Sequence, residues 1–114
     1  MKILAIEKEL PNATVEQFKQ YAQAEATRAW ELYQTGVFRE LYFRQDENSA
    51  VLMLECETVE QAGQILNTLP LVKAGLIEFD LIPLRAYPGF ARLFADETIK
   101  DKTNEFNYPR QHCS

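Results

Sequence analysis

The stretch Leu69-Pro70-Leu71-Val72-Lys73-Ala74-Gly75-Leu76-Ile77-Glu78-Phe79-Asp80-Leu81-Ile82-Pro83-Leu84 decides the fold of this chain. Proline disfavours helical backbone in the residue before it, so a helix arriving from the N-terminal side stops before Pro70. Gly75 lets the chain turn, and Leu76 to Ile82 then alternates with the period of a strand. Ile77, Phe79 and Leu81 point one way; Leu76, Glu78, Asp80 and Ile82 point the other. The first face is wholly apolar and suits a covering layer of helices. The second sets two carboxylates between two aliphatic side chains, which predicts the lining of a partly polar cavity.

Upstream of Pro70, Thr58 is a good N-cap with Gln61 in the capping-box position, and Ala62, Ile65, Leu66 and Leu69 form the apolar stripe of a helix. Before that helix, Val37 to Arg44 alternates and Ala50 to Glu55 is apolar. The polar turn Asp46-Glu47-Asn48-Ser49 joins them into a hairpin. Further back, Thr14 caps a helix that runs to about Gln34 and ends before Gly36, the expected C′ glycine, with Gln17 placed to complete a capping box. Its apolar positions Val15, Phe18, Ala22, Ala26, Ala29 and Tyr33 fall at helical spacing, and the alanines let it lie close to a sheet. Lys2 to Glu7 is apolar at adjacent positions, as a strand covered on both faces is, and so takes the middle of the sheet. Pro11-Asn12-Ala13-Thr14 breaks it.

The order β-α-β-β-α-β predicts an α+β fold, a ferredoxin-like sandwich with an antiparallel sheet and both helices on one face. Phe38, Tyr42, Val51, Met53, Leu76 and Ile82 make the other face too apolar to stay in water. Either the C-terminal segment or a second subunit covers it. The aromatics of Tyr87–Phe94 favour a homodimer or larger homo-oligomer. Residues 1–95 make this domain, and 96–114 read as a polar C-terminal arm with a last aromatic pair at Phe106 and Tyr108.

The 114 residues, 46 % apolar and 25 % charged, suit a single globular domain with its own core. A net charge of −5 and the lack of any Lys/Arg run argue against nucleic acid as a partner. Cys56 lies in an apolar run and reads as a small buried hydrophobe. Cys113 and the sole histidine, His112, sit in the tail, so no zinc spacing exists and no metal is expected. No apolar run reaches membrane-span length and no leader pattern opens the chain, which predicts a soluble protein of the reducing cytoplasm without a membrane partner.

Pairing Arg44 near Val51 places Tyr42 opposite Met53 and Glu40 opposite Glu55. One side of the sheet then carries Phe38, Glu40, Tyr42, Arg44, Val51, Met53, Glu55, Glu78 and Asp80. Proton transfer needs a carboxylate of raised pKa and a donor that steadies a developing enolate. Glu40 facing Glu55 supplies the first, Tyr42 the second, and Arg44 a bidentate grip on a substrate carboxylate. Phe38 and Met53 give the apolar wall, with Glu78 and Asp80 beside them. The competing reading puts Glu40 and Glu55 at a solvated rim with Arg44 as counter-ion, and Glu78 and Asp80 at a dimer edge facing cations of the partner. Glu25 is a further catalytic candidate, since it follows Val15, Phe18 and Ala22 along the inner edge of the first helix. Its alternatives are solvent or a pair with Arg28. Trp30 and Tyr33 read as packing residues.

The Gly36-to-Arg44 block, the apolar strand ending at Glu55, Leu69-Pro70-Leu71, and Pro83-Leu84 followed by Tyr87-Pro88 resemble the muconolactone isomerase family over roughly Met1 to Phe90. The resemblance implies a dimeric α+β barrel, in which two ferredoxin-like units join their sheets. It also implies isomerisation of a small carboxylated lactone by proton transfer, with no metal or organic cofactor. Glu25 matches a glutamate that the family carries on the same helix. One departure stands out: where the family usually has a His-Pro pair after the last strand, this chain has Tyr87-Pro88. Two other functions stay open: a cofactor-independent oxygenase of the same barrel group with Phe38, Tyr42 and Met53 lining a deep pocket, and a non-catalytic binding or assembly module suggested by the aromatic C-terminal segment.

Overall fold

Threonine hydroxyls set where the two longer helices begin. In the computed structural model, which describes residues 1–94, Thr14 Oγ1 accepts from the Gln17 amide at 3.2 Å while Gln17 Oε1 accepts from the Thr14 amide at 2.9 Å. This reciprocal box satisfies two otherwise orphaned donors and starts α1 (Val15–Gln34). The helix ends as expected, with Gly36 at φ +87°, a left-handed conformation that strains any side-chain-bearing residue. Thr58 Oγ1 accepts from the Gln61 amide at 3.0 Å and starts α2 (Val59–Leu66).

Pro70 does more than end a helix. It opens a further single turn, α3 (Pro70–Lys73), at the first helical position, where its missing N–H has no bond to lose. Gly75, at φ +76°, then turns the chain as the sequence predicts.

The sheet contains β1 (Lys2–Glu9), β2 (Phe38–Phe43), β3 (Ala50–Glu55) and β4 (Ile77–Pro83), in the order β2-β3-β1-β4 with every pair antiparallel. The ferredoxin-like arrangement and the central place of β1 follow the sequence reading. Ile3 opposite Leu54 and Ala5 opposite Leu52 face the helices and are buried. They pack in one core with Leu32, Phe38, Leu66 and Leu69. Ile77 is buried on this face, and Phe79 and Leu81 pack against the same core.

The hairpin departs from the expected register. Tyr42 lies opposite Val51 and Glu40 opposite Met53, a slip of two residues from the pairing read in the sequence. The cause is local. The Arg44 amide donates to Ser49 O at 2.9 Å, and its side chain pairs with Asp46 and Glu47, so Arg44 closes the loop and β2 stops at Phe43. A slip of two leaves the faces unchanged. A bulge between Phe38 and Glu40 does not: Phe38 pairs with Leu54 on the helix side, while Glu40 and Tyr42 stay on the open side.

On that open side Leu4, Ile6, Val51 and Met53 are half-buried and Ile82 is exposed. Beyond β4 a 3₁₀ turn, Gly89–Phe94, leaves Phe90, Leu93 and Phe94 exposed, with Phe94 at 82 %. Among the described residues no helix is long and apolar enough to cross a membrane. The predicted arm at 96–114, with Phe106, Tyr108, His112 and Cys113, lies outside the described residues.

Leu54→Ala removes a fully buried side chain from the core and is expected to lower unfolding stability by about 2–5 kcal/mol. Thr14→Ala, which removes a cap, is expected to lower it by about 1 kcal/mol. Urea unfolding monitored by circular dichroism checks both, and equal losses would contradict the core assignment.

Candidate functional site

The period of β1 carries the site. Ile3 and Ala5 face the helices, so Glu7 and Glu9 follow them onto the same side, where the core gives out. Across from them α1 presents Ala22, Ala26 and Ala29, too small to fill the space above the sheet. A cavity of about 540 Å³ remains between α1 and the sheet. Phe38 and Leu52 line it, and Leu41 and Phe43, both exposed, form its mouth.

Glu25 projects from the α1 wall. Its Oε1 accepts from the Leu71 amide at 3.0 Å, tying α1 to α3. Half-burial raises its pKa above the ordinary 4.5, and the Leu71 hydrogen bond offsets part of that rise. Glu7 stands on the sheet wall, with Oε1 accepting from the Ala50 amide at 3.0 Å. Burial raises its pKa first of all and the Ala50 hydrogen bond lowers it. The negative charges of Glu25, Glu9 and Glu47 raise it further. Two carboxyl groups on different walls of one cavity are therefore biased toward holding a proton.

Within the single chain the cavity lies on the helix side of the sheet, opposite the face that bears Glu78 and Asp80. Of the residues proposed from sequence, Glu25, Phe38 and Tyr42 lie along the cavity, though the register sends the Tyr42 side chain to the open face with Glu40. The Tyr42 hydroxyl donates to Glu40 Oε1 at 2.7 Å, a bond that raises the phenol's pKa. Glu40 faces Met53 rather than Glu55. Glu55 binds the N-terminal ammonium of Met1 at 2.5 Å, which holds its carboxyl below the ordinary range. Arg44 makes the bidentate grip expected of it, but on Asp46 of its own loop, at 2.9 and 2.5 Å. Glu78 and Asp80 are exposed and face Lys8 of the same chain, 4.0 and 3.3 Å away. Arg28 pairs with Glu31 and donates to Thr68, leaving Glu25 to the backbone. Trp30 and Tyr33 stack on each other at the surface rather than in the core.

Glu7 was legible from the alternation Ile3, Ala5, Glu7. Reading β1 as covered on both faces hid it, because that treats every position as core. Among the described residues no cluster of three or more His, Cys, Asp or Glu side chains is placed to hold a metal ion.

The architecture is that of the ferredoxin-like α+β proteins. No protein-family model and no curated protein sequence matches the chain. Solved structures do. A muconolactone isomerase superposes with a TM-score of 0.65 at 20 % identity, over 77 % of this chain and 92 % of that one. The 5-chloro-2-hydroxyhydroquinone dehydrochlorinase of Burkholderia phenoliruptrix AC1100, in complex with 2,5-dihydroxybenzoquinone, superposes at 0.63 with 15 % identity, over 76 % of this chain and 96 % of that one. At these identities the likeness establishes the fold: this chain has the muconolactone isomerase-like form of the ferredoxin-like sandwich.

The two raised carboxyls fix a pH dependence. Each is harder to ionise in the folded than in the unfolded chain, so its contribution to stability is complete below the ordinary value of 4.5 and is lost as pH rises through the folded value. Glu55 and Asp46 act in the opposite sense, stabilising above their ordinary values and ceasing to do so as pH falls. Glu25→Gln keeps an acceptor for the Leu71 amide and removes the ionisation. Its melting temperature relative to the unsubstituted protein is expected to rise from acid to neutral pH; parallel curves in thermal melts would contradict the assignment.

Proposed function

We propose that this protein is a cofactor-free proton-transfer enzyme, an isomerase or eliminating lyase, acting on a small unsaturated oxygenated ring in the cavity between α1 and the sheet, with Glu25 as the base. The observation that carries this reading is the half-buried Glu25 carboxyl on the wall of an otherwise largely apolar cavity, fixed by the Leu71 amide and pushed toward higher pKa. A general base works best when its pKa lies near the working pH, and partial burial moves a glutamate that way.

Glu25 takes a proton from the carbon beside a ring carbonyl, and the electron pair moves to the carbonyl oxygen as an enolate. Returning the proton at the conjugate carbon completes an isomerisation; loss of a leaving group completes an elimination. Asn48, on the cavity lining, supplies an amide N–H for the developing oxyanion. The named activities of the two structural neighbours, isomerisation of a lactone and removal of HCl from a hydroxyhydroquinone, support the same reaction class. Arg44, held by its own loop, no longer argues for a substrate carboxylate.

The working form is a homodimer or larger homo-oligomer of the cytoplasm, in which a second copy covers the open sheet face and the exposed Phe90, Leu93 and Phe94. The exposed apolar side chains on and beyond β4 support this, and buried, unpaired Cys56 suits a reducing compartment.

Glu25→Gln is expected to slow turnover by about 10²-fold or more, whereas Glu40→Gln and Arg44→Ala leave it nearly unchanged. Deuterium uptake from D₂O into unsaturated lactones and hydroxylated rings, followed by NMR, measures this. Full exchange by the Glu25→Gln variant would overturn the assignment. Sedimentation equilibrium tests the assembly: a monomer at micromolar concentration contradicts it.

A further inference from the structure

The cavity has a second carboxyl that base catalysis by Glu25 does not use. Glu7 is on β1, on the wall formed by the sheet, whereas Glu25 is on α1. The Ala50 amide donates to Glu7 Oε1 at 3.0 Å and anchors that oxygen. Among the described residues none donates to its other oxygen, which is left for a ligand. The surrounding charges are all of one sign: Glu9 on β1, Glu25 on α1 and Glu47 in the hairpin loop act on Glu7. Neither lysine nor arginine lines the cavity among the described residues.

We propose that Glu7 selects the substrate, accepting a hydrogen bond from a ring hydroxyl and restricting the cavity to uncharged, hydroxylated rings. This rests on the proton-transfer reading of the same cavity and narrows its substrate class. A ring hydroxyl brings the donor that the free Glu7 oxygen lacks. A ring carboxylate brings a like charge and finds no cation to meet it, an arrangement that penalises binding strongly in a partly desolvated site. The favoured substrates are therefore ring ketones that carry a free hydroxyl, rather than carboxylated lactones, and hydroquinone serves as an unreactive probe of the hydroxyl contact.

The test is calorimetric titration near neutral pH with hydroquinone and with gentisate, its carboxylated counterpart. The unsubstituted protein is expected to bind hydroquinone at least about tenfold more tightly than gentisate. Glu7→Gln is expected to narrow that ratio by about tenfold, by admitting gentisate. Glu7→Asp keeps the charge and is expected to keep the ratio, and it also reports on folding should Glu7→Gln prove unstable: a collapsed ratio in Glu7→Asp overturns the charge argument. An unchanged ratio in Glu7→Gln, with deuterium exchange still lost in Glu25→Gln, overturns the role of Glu7 and leaves the proton-transfer reading standing. Failure of the unsubstituted protein to bind either ring overturns both.

Discussion

How closely α1 can approach the sheet is the constraint on which the rest of this structure depends. Sheet and helix meet through large side chains at one end, where Leu32, Phe38 and Leu54 pack together. At the other end the helix offers Ala22, Ala26 and Ala29, and the space they leave is the cavity. Unfilled apolar space lowers stability, since its lining atoms lose dispersion partners. A chain that keeps such a gap and borders it with carboxylates has the form of a ligand site: concave, mainly apolar, with a few polar groups on its walls.

The two carboxylates are also structural. Glu25 binds the Leu71 amide near the start of α3, and Glu7 binds the Ala50 amide at the start of β3. Each satisfies a backbone donor at the edge of the cavity, and such donors are expensive to leave unpaired when buried. One carboxylate oxygen is thereby fixed and the other is left for the cavity. This division explains how half-buried acids are retained without a cationic partner.

Much of the fold was legible because its signals are local. The Thr14 and Thr58 caps, Gly36, Gly75 and the alternation of Ile77, Phe79 and Leu81 are read within a few residues, and the structure follows them. The site was less legible because it depends on which face holds empty space. Composition put Glu78 and Asp80 among aliphatic neighbours and suggested a cavity there; both are exposed, and Lys8, far away in sequence but adjacent across the sheet, pairs with them. The bulge after Phe38 turned that residue to the opposite face from Glu40, an inversion that strict alternation cannot foresee. Helical spacing put Glu25 on the inner edge of α1, where it borders the cavity, whereas Glu7 needed the alternation of β1 carried two residues past its last small core side chain.

The proposed ligand site lies on the helix side of the sheet, between Glu7 and Glu25. A crystal structure with hydroquinone bound tests it most directly. The ring is expected between α1 and β1, with a hydroxyl against the free oxygen of Glu7. A ring bound instead on the open face beside Glu78 and Asp80 would contradict it.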